Sequence, residues 1–336
     1  MFQASRAGGR HARLIVRRLL ISVPVLLASS VLVFLMVANS GDPLAELQGR
    51  NPPVHEQVIQ TRRAQLHLDR PLPERYWLWA RQFVRGDMGR SLRGLDVRPQ
   101  LVRRIGVTLR MVLLAIVLAV LLAVASGVLS AVRQYTVTDY VLTLAGFLFL
   151  SMPAFWLAAL LKEFGAIRLN QLLGHQWVFV VGSQSPNLTG SLGHRLADYA
   201  GHLLLPTLAI ALGFYAAWSR FQRAALLEVL GSDHLRMARA KGLPRRRVIV
   251  RHALRNALAP LVTVVAIDAA GILGGVFVVE WVFSWHGLGE LFVQGLLASD
   301  LNVVLACLMV TSVIVVVFNL LADIVYAVLD PRIRTA

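Results

Sequence analysis

Long apolar runs separated by short polar segments make up most of this chain. An α-helix needs about 20 apolar residues to cross a bilayer. Six runs near that length lie at 19–38, 105–132, 140–161, 202–218, 257–283 and 303–327. The pattern predicts an all-α integral membrane protein with six transmembrane helices. Pro153, inside the third run, predicts a kink for which neighbouring helices must compensate.

Residues 39–104 differ from the rest of the chain, because they carry proline pairs, many charges and isolated aromatic side chains. They predict a small extramembrane domain after the first helix. A five-helix core is expected at 105–329 and a short terminal segment at 330–336. The aromatic residues, among them Trp77 and Trp79, have two interpretations. They form a local core or a membrane-surface belt, or they form a surface that receives another protein.

Basic residues are distributed largely as the positive-inside rule requires. Five arginines and no acidic residue precede the first run, so residues 1–38 are expected to hold a cytoplasmic N-terminus and the first transmembrane helix. The first run is longer than the apolar region of a signal peptide, so we expect that it is not cleaved off. In 220–255, ten basic residues stand against two acidic ones, which places that segment in the cytoplasm. Six spans then put the C-terminus in the cytoplasm and the extramembrane domain outside. Arg103 and Arg104, just before the second run, are the exception.

Composition supports the membrane prediction and narrows the function classes. The 336 residues are 57% hydrophobic, with a mean hydropathy of +0.63 and a net charge of +16. In a soluble protein that charge would suggest a nucleic-acid partner, whereas beside six apolar runs it reflects topology, so no nucleic acid is expected. A single cysteine, Cys307, excludes an internal disulfide and a cysteine metal cluster.

Sequence signatures of catalysis and nucleotide binding are missing. A P-loop needs Lys followed by Ser or Thr, yet Lys162 precedes Glu and Lys241 precedes Gly. His55 and Glu56 are followed by Ile59 where a zinc protease motif needs histidine, and there is no GxSxG sequence. We therefore expect no catalytic, cofactor or metal residues in this chain, and not an enzyme.

A short helix is predicted inside the strongly basic segment 226–260. Ser232 or Asp233 can cap its start, and Gly242 followed by Pro244 ends it after about nine residues. The helical period places four of its residues on one exposed face: His234, Met237, Ala238 and Lys241. The arginines at 245–247 have two interpretations, contact with lipid headgroups and contact with a partner protein.

Several sequence blocks occur in an order and spacing that resemble one transporter family. They read GDMGRSL, SMPAFWLAALL, HLLLPTLAIALG, ARAKGL with RHALRNALAP, GGVFVVEWVFSWHGLGEL, and NLLADIVYAVLDPRIR. The chain resembles the first of the two permease subunits of dipeptide or oligopeptide ABC importers, which has a large extracytoplasmic insertion after its first span. The resemblance implies a type I ABC importer permease fold in the bacterial cytoplasmic (inner) membrane. It also implies a second permease subunit forming a heterodimer, two ATPase subunits that use ATP and Mg²⁺, an extracytoplasmic substrate-binding protein, a peptide substrate and surrounding lipid.

In this family a cytoplasmic EAA motif forms the coupling helix that docks in a cleft of the ATPase, and the segment at about 232–242 is similar to it. Arg236 departs from the family pattern, which has Glu at that position. The coupling residues that the resemblance implies are Asp233, His234, Met237, Ala238, Lys241 and Gly242. Met237 and Ala238 would pack in the cleft, the charges would set orientation, and Gly242 would provide the turn.

Asp268 lies within the fifth apolar run, where a charge is costly unless it has a function or a partner. It has two interpretations, a translocation pathway residue that meets a substrate amine and a member of an interhelical hydrogen bond. Gly271, Gly274 and Gly275 similarly indicate close helix packing or a flexible gate.

Alternatives to peptide import stay open at this point. Related importers carry nickel chelates, glutathione or haem, and the sequence does not distinguish these cargoes. A membrane scaffold and a membrane-embedded enzyme are the alternatives outside the transporter class.

Overall fold

A computed structural model describes residues 2–39, 41–42, 44–45, 55–176, 178–186 and 188–329. The α-helices are α1 (Phe2–Ala38), α2 (Glu56–Gln65), α3 (Leu72–Val84), α4 (Val97–Val132), α5 (Val137–Ser151), α6 (Ala154–Lys162), α7 (Leu169–Leu173), α8 (Leu192–Leu230), α9 (Asp233–Ala240), α10 (Arg245–Arg247), α11 (Leu254–Val282), α12 (Leu288–Leu297) and α13 (Leu301–Leu329). π-helical turns at Glu163–Arg168 and Val248–Ala253 join α6 to α7 and α10 to α11. The terminal segment 330–336 lies outside the described residues.

Five of the described helices are long and apolar enough to cross a membrane, and a bent pair can supply a sixth span. The five segments are Leu20–Ala38, Val97–Val132, Leu192–Leu230, Arg245–Val282 and Leu301–Val325. The helices extend beyond the apolar runs from which they were predicted. Helix α8, with 39 residues, is about 58 Å long and exceeds the roughly 30 Å of a hydrocarbon core. Its polar ends therefore continue outside the bilayer.

The third apolar run is broken rather than simply kinked. Helices α5 and α6 meet at a bend of 107° between Ser151 and Ala154. Met152 is extended, with φ −85° and ψ 126°, because the ring of Pro153 excludes the helical conformation from the residue before it. The predicted proline kink thus becomes a change of direction in the chain.

One compact unit comprises the described residues of 1–15, 109–285 and 317–329. Helix α8 is its centre and contacts α5, α6 and α11. Trp218 and Leu226 of α8 are fully buried. Gly127 of α4 lies so close to α8 that a Cβ atom there would be 2.8 Å from the carbonyl oxygen of Ser219. Only glycine allows this approach of the two backbones.

A second compact unit comprises the described residues of 16–108 and 286–316. Phe34, Leu301 and Leu305 form its buried cluster, against which Tyr76 and Trp79 of α3 pack. The hydroxyls of Ser30 and Tyr76 lie 2.8 Å apart. These contacts fit the local-core interpretation of the aromatic residues, whereas Trp77 is 66% exposed.

The GDMGRSL block forms a turn that is fixed to the α12–α13 connection of the same unit. The backbone N–H of Leu92 donates to Oδ2 of Asp300 at 2.6 Å, and Nδ2 of Asn302 donates to the carbonyl of Arg90 at 2.8 Å. Gly89 has φ +73°, a conformation that favours glycine. Burial raises the pKa of the Asp300 carboxyl, against the opposing effect of the backbone N–H groups of Leu92, Val303 and Asn302.

Arg103 and Arg104 were the exception to the charge rule, and the structure gives Arg104 a partner. Helix α4 begins at Val97, eight residues before the apolar run, so both arginines lie on the helix. Arg104 Nη1 donates to Oε2 of Glu290 at 2.9 Å and to the carbonyl of Gly287 at 3.2 Å. A mostly buried ion pair therefore accounts for this arginine on the side of the membrane where the positive-inside rule predicts few basic residues.

Candidate functional site

The short helix predicted in the basic segment is α9, which begins at Asp233 and ends at Ala240. Ser232 is the N-cap residue, yet its hydroxyl donates back to the carbonyl of Val229 at 2.7 Å and caps no amide of α9. Gly242 ends the helix as expected, with φ +77° and its N–H donating to the carbonyl of Arg239 at 2.9 Å. We call residues 232–242 the coupling segment.

The inner face of α9 fixes the helix to the rest of its unit. Leu235 is fully buried and Ala238 is 8% exposed. They share a cluster with residues of α4, α8, the second π-turn and α11: Ala131, Leu226, Val248, Ala253 and Ala257. This corrects the expectation that Ala238 shares the exposed face with Met237. Leu235 and Ala238, three residues apart, form the inner face instead.

The outer face of α9 carries the other predicted residues. Asp233, His234, Lys241 and Gly242 are exposed, and Met237 is 62% exposed. Arg236 Nη1 donates to Oδ1 of Asp233 at 3.3 Å. An apolar side chain between polar groups on a short, anchored helix is suited to insertion into a complementary cleft. We call Asp233, His234, Met237 and Lys241 the docking face.

Three contacts tie the flanks of α9 to neighbouring elements. Arg239 Nη2 donates to the carbonyl of Leu230 at 3.3 Å, at the end of α8. Arg245 Nη2 donates to the carbonyl of Val132 at 3.5 Å, at the end of α4. A cation at a helix C-terminus interacts favourably with the helix dipole and the unpaired carbonyls. The rings of His234 and His252, 6.0 Å apart and nearly perpendicular, join α9 to the π-turn.

A buried ion pair lies near the same helix ends. Arg223 of α8 donates from Nη2 to Oδ2 of Asp139 at 2.8 Å and from Nε to Oδ1 at 3.0 Å. The Ser130 hydroxyl also donates to Asp139, and the N–H of Tyr135 donates to Oδ2 at 3.0 Å. We call these four residues the Asp139 cluster. It joins the end of α4, the α4–α5 turn, the first turn of α5 and α8.

Asp268 of α11 accepts a hydrogen bond from Nε1 of Trp218 at 2.8 Å. The indole is fully buried, whereas Asp268 is half-buried. This is the interhelical hydrogen bond of the second interpretation, and it leaves Oδ1 of the same carboxylate available to another group. A Cβ atom at Gly271, Gly274 or Gly275 would meet nothing within 4 Å. No described residue therefore packs closely against these glycines.

Sequence reasoning missed Leu235, Trp218 and the pairing of Asp139 with Arg223. Leu235 could have been found, because it is the apolar residue three positions before Ala238 on the face opposite the charges. Asp139 could have been found as a lone acid at the start of an apolar run, since such a charge needs a partner. The partner itself could not be identified, because Arg220 lies only one helical turn from Arg223.

The described residues contain no group of three or more His, Cys, Asp and Glu side chains that could hold a metal ion. What the arrangement offers is mechanical. An exposed apolar side chain is carried by a helix whose base is held to the ends of long helices.

Comparisons with known proteins match transport proteins over most of the chain. The family model described as "Binding-protein-dependent transport system inner membrane component" matches residues 115–335. The oligopeptide transport system permease protein OppB of Mycobacterium tuberculosis is 41% identical over 324 residues, covering 96% of this chain and 99% of that protein. The dipeptide transport system permease protein DppB of Escherichia coli is 33% identical over 339 residues, covering 95% and 98%. A crystal structure of an amino acid ABC transporter has a TM-score of 0.49 and 14% identity, covering 68% of this chain and 93% of that one.

Proposed function

Because the chain belongs to the family of binding-protein-dependent transport system inner membrane components, we propose that it is a permease subunit of an ATP-driven importer of dipeptides or oligopeptides. Membership confirms the predicted transport role in place of an enzymatic one, and the type I ABC importer permease fold. Importers of this family combine permease, ATPase and substrate-binding subunits in the bacterial inner membrane. The peptide cargo rests on the names of two relatives that match this chain almost from end to end.

The observation that carries the coupling role is the exposed Met237 on an anchored α9. The docking face would insert into an ATPase subunit, which binds ATP and Mg²⁺, while Leu235 and Ala238 hold the helix to the compact unit that contains α8. Movement of the ATPase on nucleotide binding would then shift α9 together with the ends of α4 and α8. Such a rigid connection lets binding at one end select which face of the pathway is open.

The topology follows from the same assignment. The coupling segment faces the cytoplasm together with both termini, and the domain at 39–104 faces the outside. There the exposed Trp77 is available to a substrate-binding protein. A second permease subunit completes a heterodimer, two ATPase subunits dock on the pair, and Gly271, Gly274 and Gly275 are available for close contact with the second subunit.

Changing Met237 to aspartate is expected to weaken association with the ATPase by about tenfold or more, because a charge replaces an apolar side chain whose burial stabilises the contact by about 1.5–3 kcal/mol. Met237→Leu conserves volume and polarity and should bind as the native chain does. Val84→Asp is the matched control, since Val84 is also exposed but lies on α3. Co-purification of ATPase subunits with the membrane-inserted chain at graded salt measures the effect.

Equal ATPase retention by the native chain and Met237→Asp would contradict the docking face. Loss of retention with Val84→Asp as well would indicate a general defect in insertion. Normal docking with uptake of a nickel chelate, glutathione or haem in place of labelled peptides would keep the coupling role and reject the peptide cargo.

The first interpretation of Asp268, a pathway residue that meets a substrate amine, is tested by separating the charge of this side chain from its hydrogen bond. Asp268→Asn keeps an acceptor for Trp218 and removes the charge, whereas Trp218→Phe removes the donor and keeps the charge. If Asp268 meets a substrate amine, Asp268→Asn should raise the KM for peptide uptake about tenfold, because the hydrogen bond to the amine loses the strengthening that the carboxylate charge gives it. Trp218→Phe should chiefly lower thermal stability. An unchanged KM in Asp268→Asn would leave only the packing role.

A further inference from the structure

A cavity of about 720 Å³ lies behind the coupling segment, within one compact unit. Its walls are largely apolar and come from the last turns of α4 and α8 and from the chain that follows α9, including Val132, Leu227, Leu230, Leu243 and Ile249. The volume lies within the roughly 300–1,000 Å³ of pockets that hold small ligands. Neither the docking face nor the pathway residues use this cavity.

Among the described residues that line the cavity, two are cations and none is acidic. Arg239 and Arg245 each donate one hydrogen bond to a helix-terminal carbonyl, that of Leu230 and that of Val132. A guanidinium has five N–H donors, so further donors remain on each side chain. Asp233 of the coupling segment is engaged by Arg236 instead. The described lining of the cavity therefore combines positive charge with apolar walls.

This combination fits an anionic amphiphile better than a soluble anion. Val132 is the last residue both of α4 and of the apolar run 105–132. The cavity consequently lies where this span leaves the hydrocarbon, at the depth of lipid headgroups. A free phosphate would use the arginines but would gain nothing from the apolar walls.

We propose that this cavity binds the headgroup of one anionic phospholipid, with its phosphate between Arg239 and Arg245 and its glycerol and first methylenes against Leu227, Leu230 and Ile249. The lipid would neutralise the two arginines and join the end of α4 to the flanks of α9. The state of the surrounding membrane would then affect how firmly the coupling segment is held. Binding itself needs neither nucleotide nor cargo, so it is separable from the proposed transport function.

The test titrates phosphatidylglycerol into the delipidated, detergent-solubilised complex that contains the full chain, with native mass spectrometry as the readout. One lipid per copy should be retained, and phosphatidylcholine should not replace it. Arg239→Gln with Arg245→Gln should bind about thirtyfold more weakly, from about 1 kcal/mol for each cation. The matched control is Arg246→Gln with Arg247→Gln, because these arginines are exposed on the same helix but do not line the cavity. Arg239→Lys with Arg245→Lys should keep most of the affinity and shows that both positions tolerate substitution.

Four outcomes would overturn the proposal. Undiminished binding by the double variant Arg239→Gln with Arg245→Gln would show that the lipid is attracted by the overall positive charge and not by a defined site. An equal loss of binding in the control double variant Arg246→Gln with Arg247→Gln would show the same. Displacement of the lipid by inorganic phosphate alone would identify a soluble anion site. Binding only after the ATPase subunits are removed would show that the ATPase fills the cavity.

Discussion

Asp139→Ala is expected to destabilise the compact unit that contains α8 by about 3 kcal/mol, because it leaves Arg223 without the carboxylate that faces it. Asp139 is nearly inaccessible, whereas the Arg223 side chain is 29% exposed, which places the effect at the low end for a broken buried pair. Thermal denaturation of the purified protein in detergent, followed by loss of folded monomer on size-exclusion chromatography, measures the change.

An exposed ion pair in the same unit provides the control. Glu163 and Arg168 are 3.1 Å apart, with side chains 46% and 59% exposed. Glu163→Ala should therefore cost under about 1 kcal/mol. The double variant Asp139→Asn with Arg223→Gln removes both charges and should recover much of the loss. If the Asp139→Ala and Glu163→Ala variants denatured at the same temperature, the Asp139 cluster would have no special structural role.

The loss at Asp139 should extend to the coupling segment, because both depend on the end of α4. Ser130 belongs to the Asp139 cluster, and the next residue, Ala131, belongs to the apolar cluster that holds Leu235. The turn after α4 thus connects an ion pair on one side with the base of α9 on the other. A coupling segment attached to one helix end only would transmit movement to that helix alone.

Much of this architecture was predictable from the sequence, because a bilayer imposes a simple rule on it. Apolar runs near 20 residues must form helices to cross the bilayer. The end of the short helix after Ser232 was also predictable, because Gly242 is a helix stop signal. The ends of α8 were not predictable from hydropathy, since polar residues continue a helix outside the membrane. The break at Pro153 was placed correctly but its 107° bend was not, because the direction after a break is set by packing against other helices.

The hydrogen-bond and ion-pair partners of Asp139 and Asp268 could not be predicted from the sequence for a related reason. Arg223 and Asp139 are 84 positions apart, and Trp218 and Asp268 are 50 apart. Each of these carboxylates could be identified as needing a partner, but hydropathy assigns no pairs between helices. Ala238 was misplaced because the exposed face was inferred from the helical period alone, which does not determine which face packs inward. The coupling segment is anchored because both Leu235 and Ala238 pack inward.

Gly242→Val is expected to reduce coupled peptide uptake about thirtyfold while the protein still inserts. At φ +77° a β-branched residue is strained by about 2 kcal/mol, so the turn would relax toward negative φ and displace the end of α9. A side chain would meet nothing within 4 Å at this position, so the effect comes from the backbone alone. ATP hydrolysis and uptake, measured together in proteoliposomes, should separate, with hydrolysis continuing as uptake falls.

Gly242→Asn is the decisive control for that result. Asparagine tolerates the left-handed conformation far better than valine, so it adds a side chain of similar size without moving the turn. Uptake close to that of the native protein in Gly242→Asn, with loss in Gly242→Val, would identify the backbone conformation as the feature that coupling needs. Equal losses in both would instead indicate that any side chain at Gly242 obstructs the ATPase cleft. The docking face would then extend past Lys241 to the turn itself.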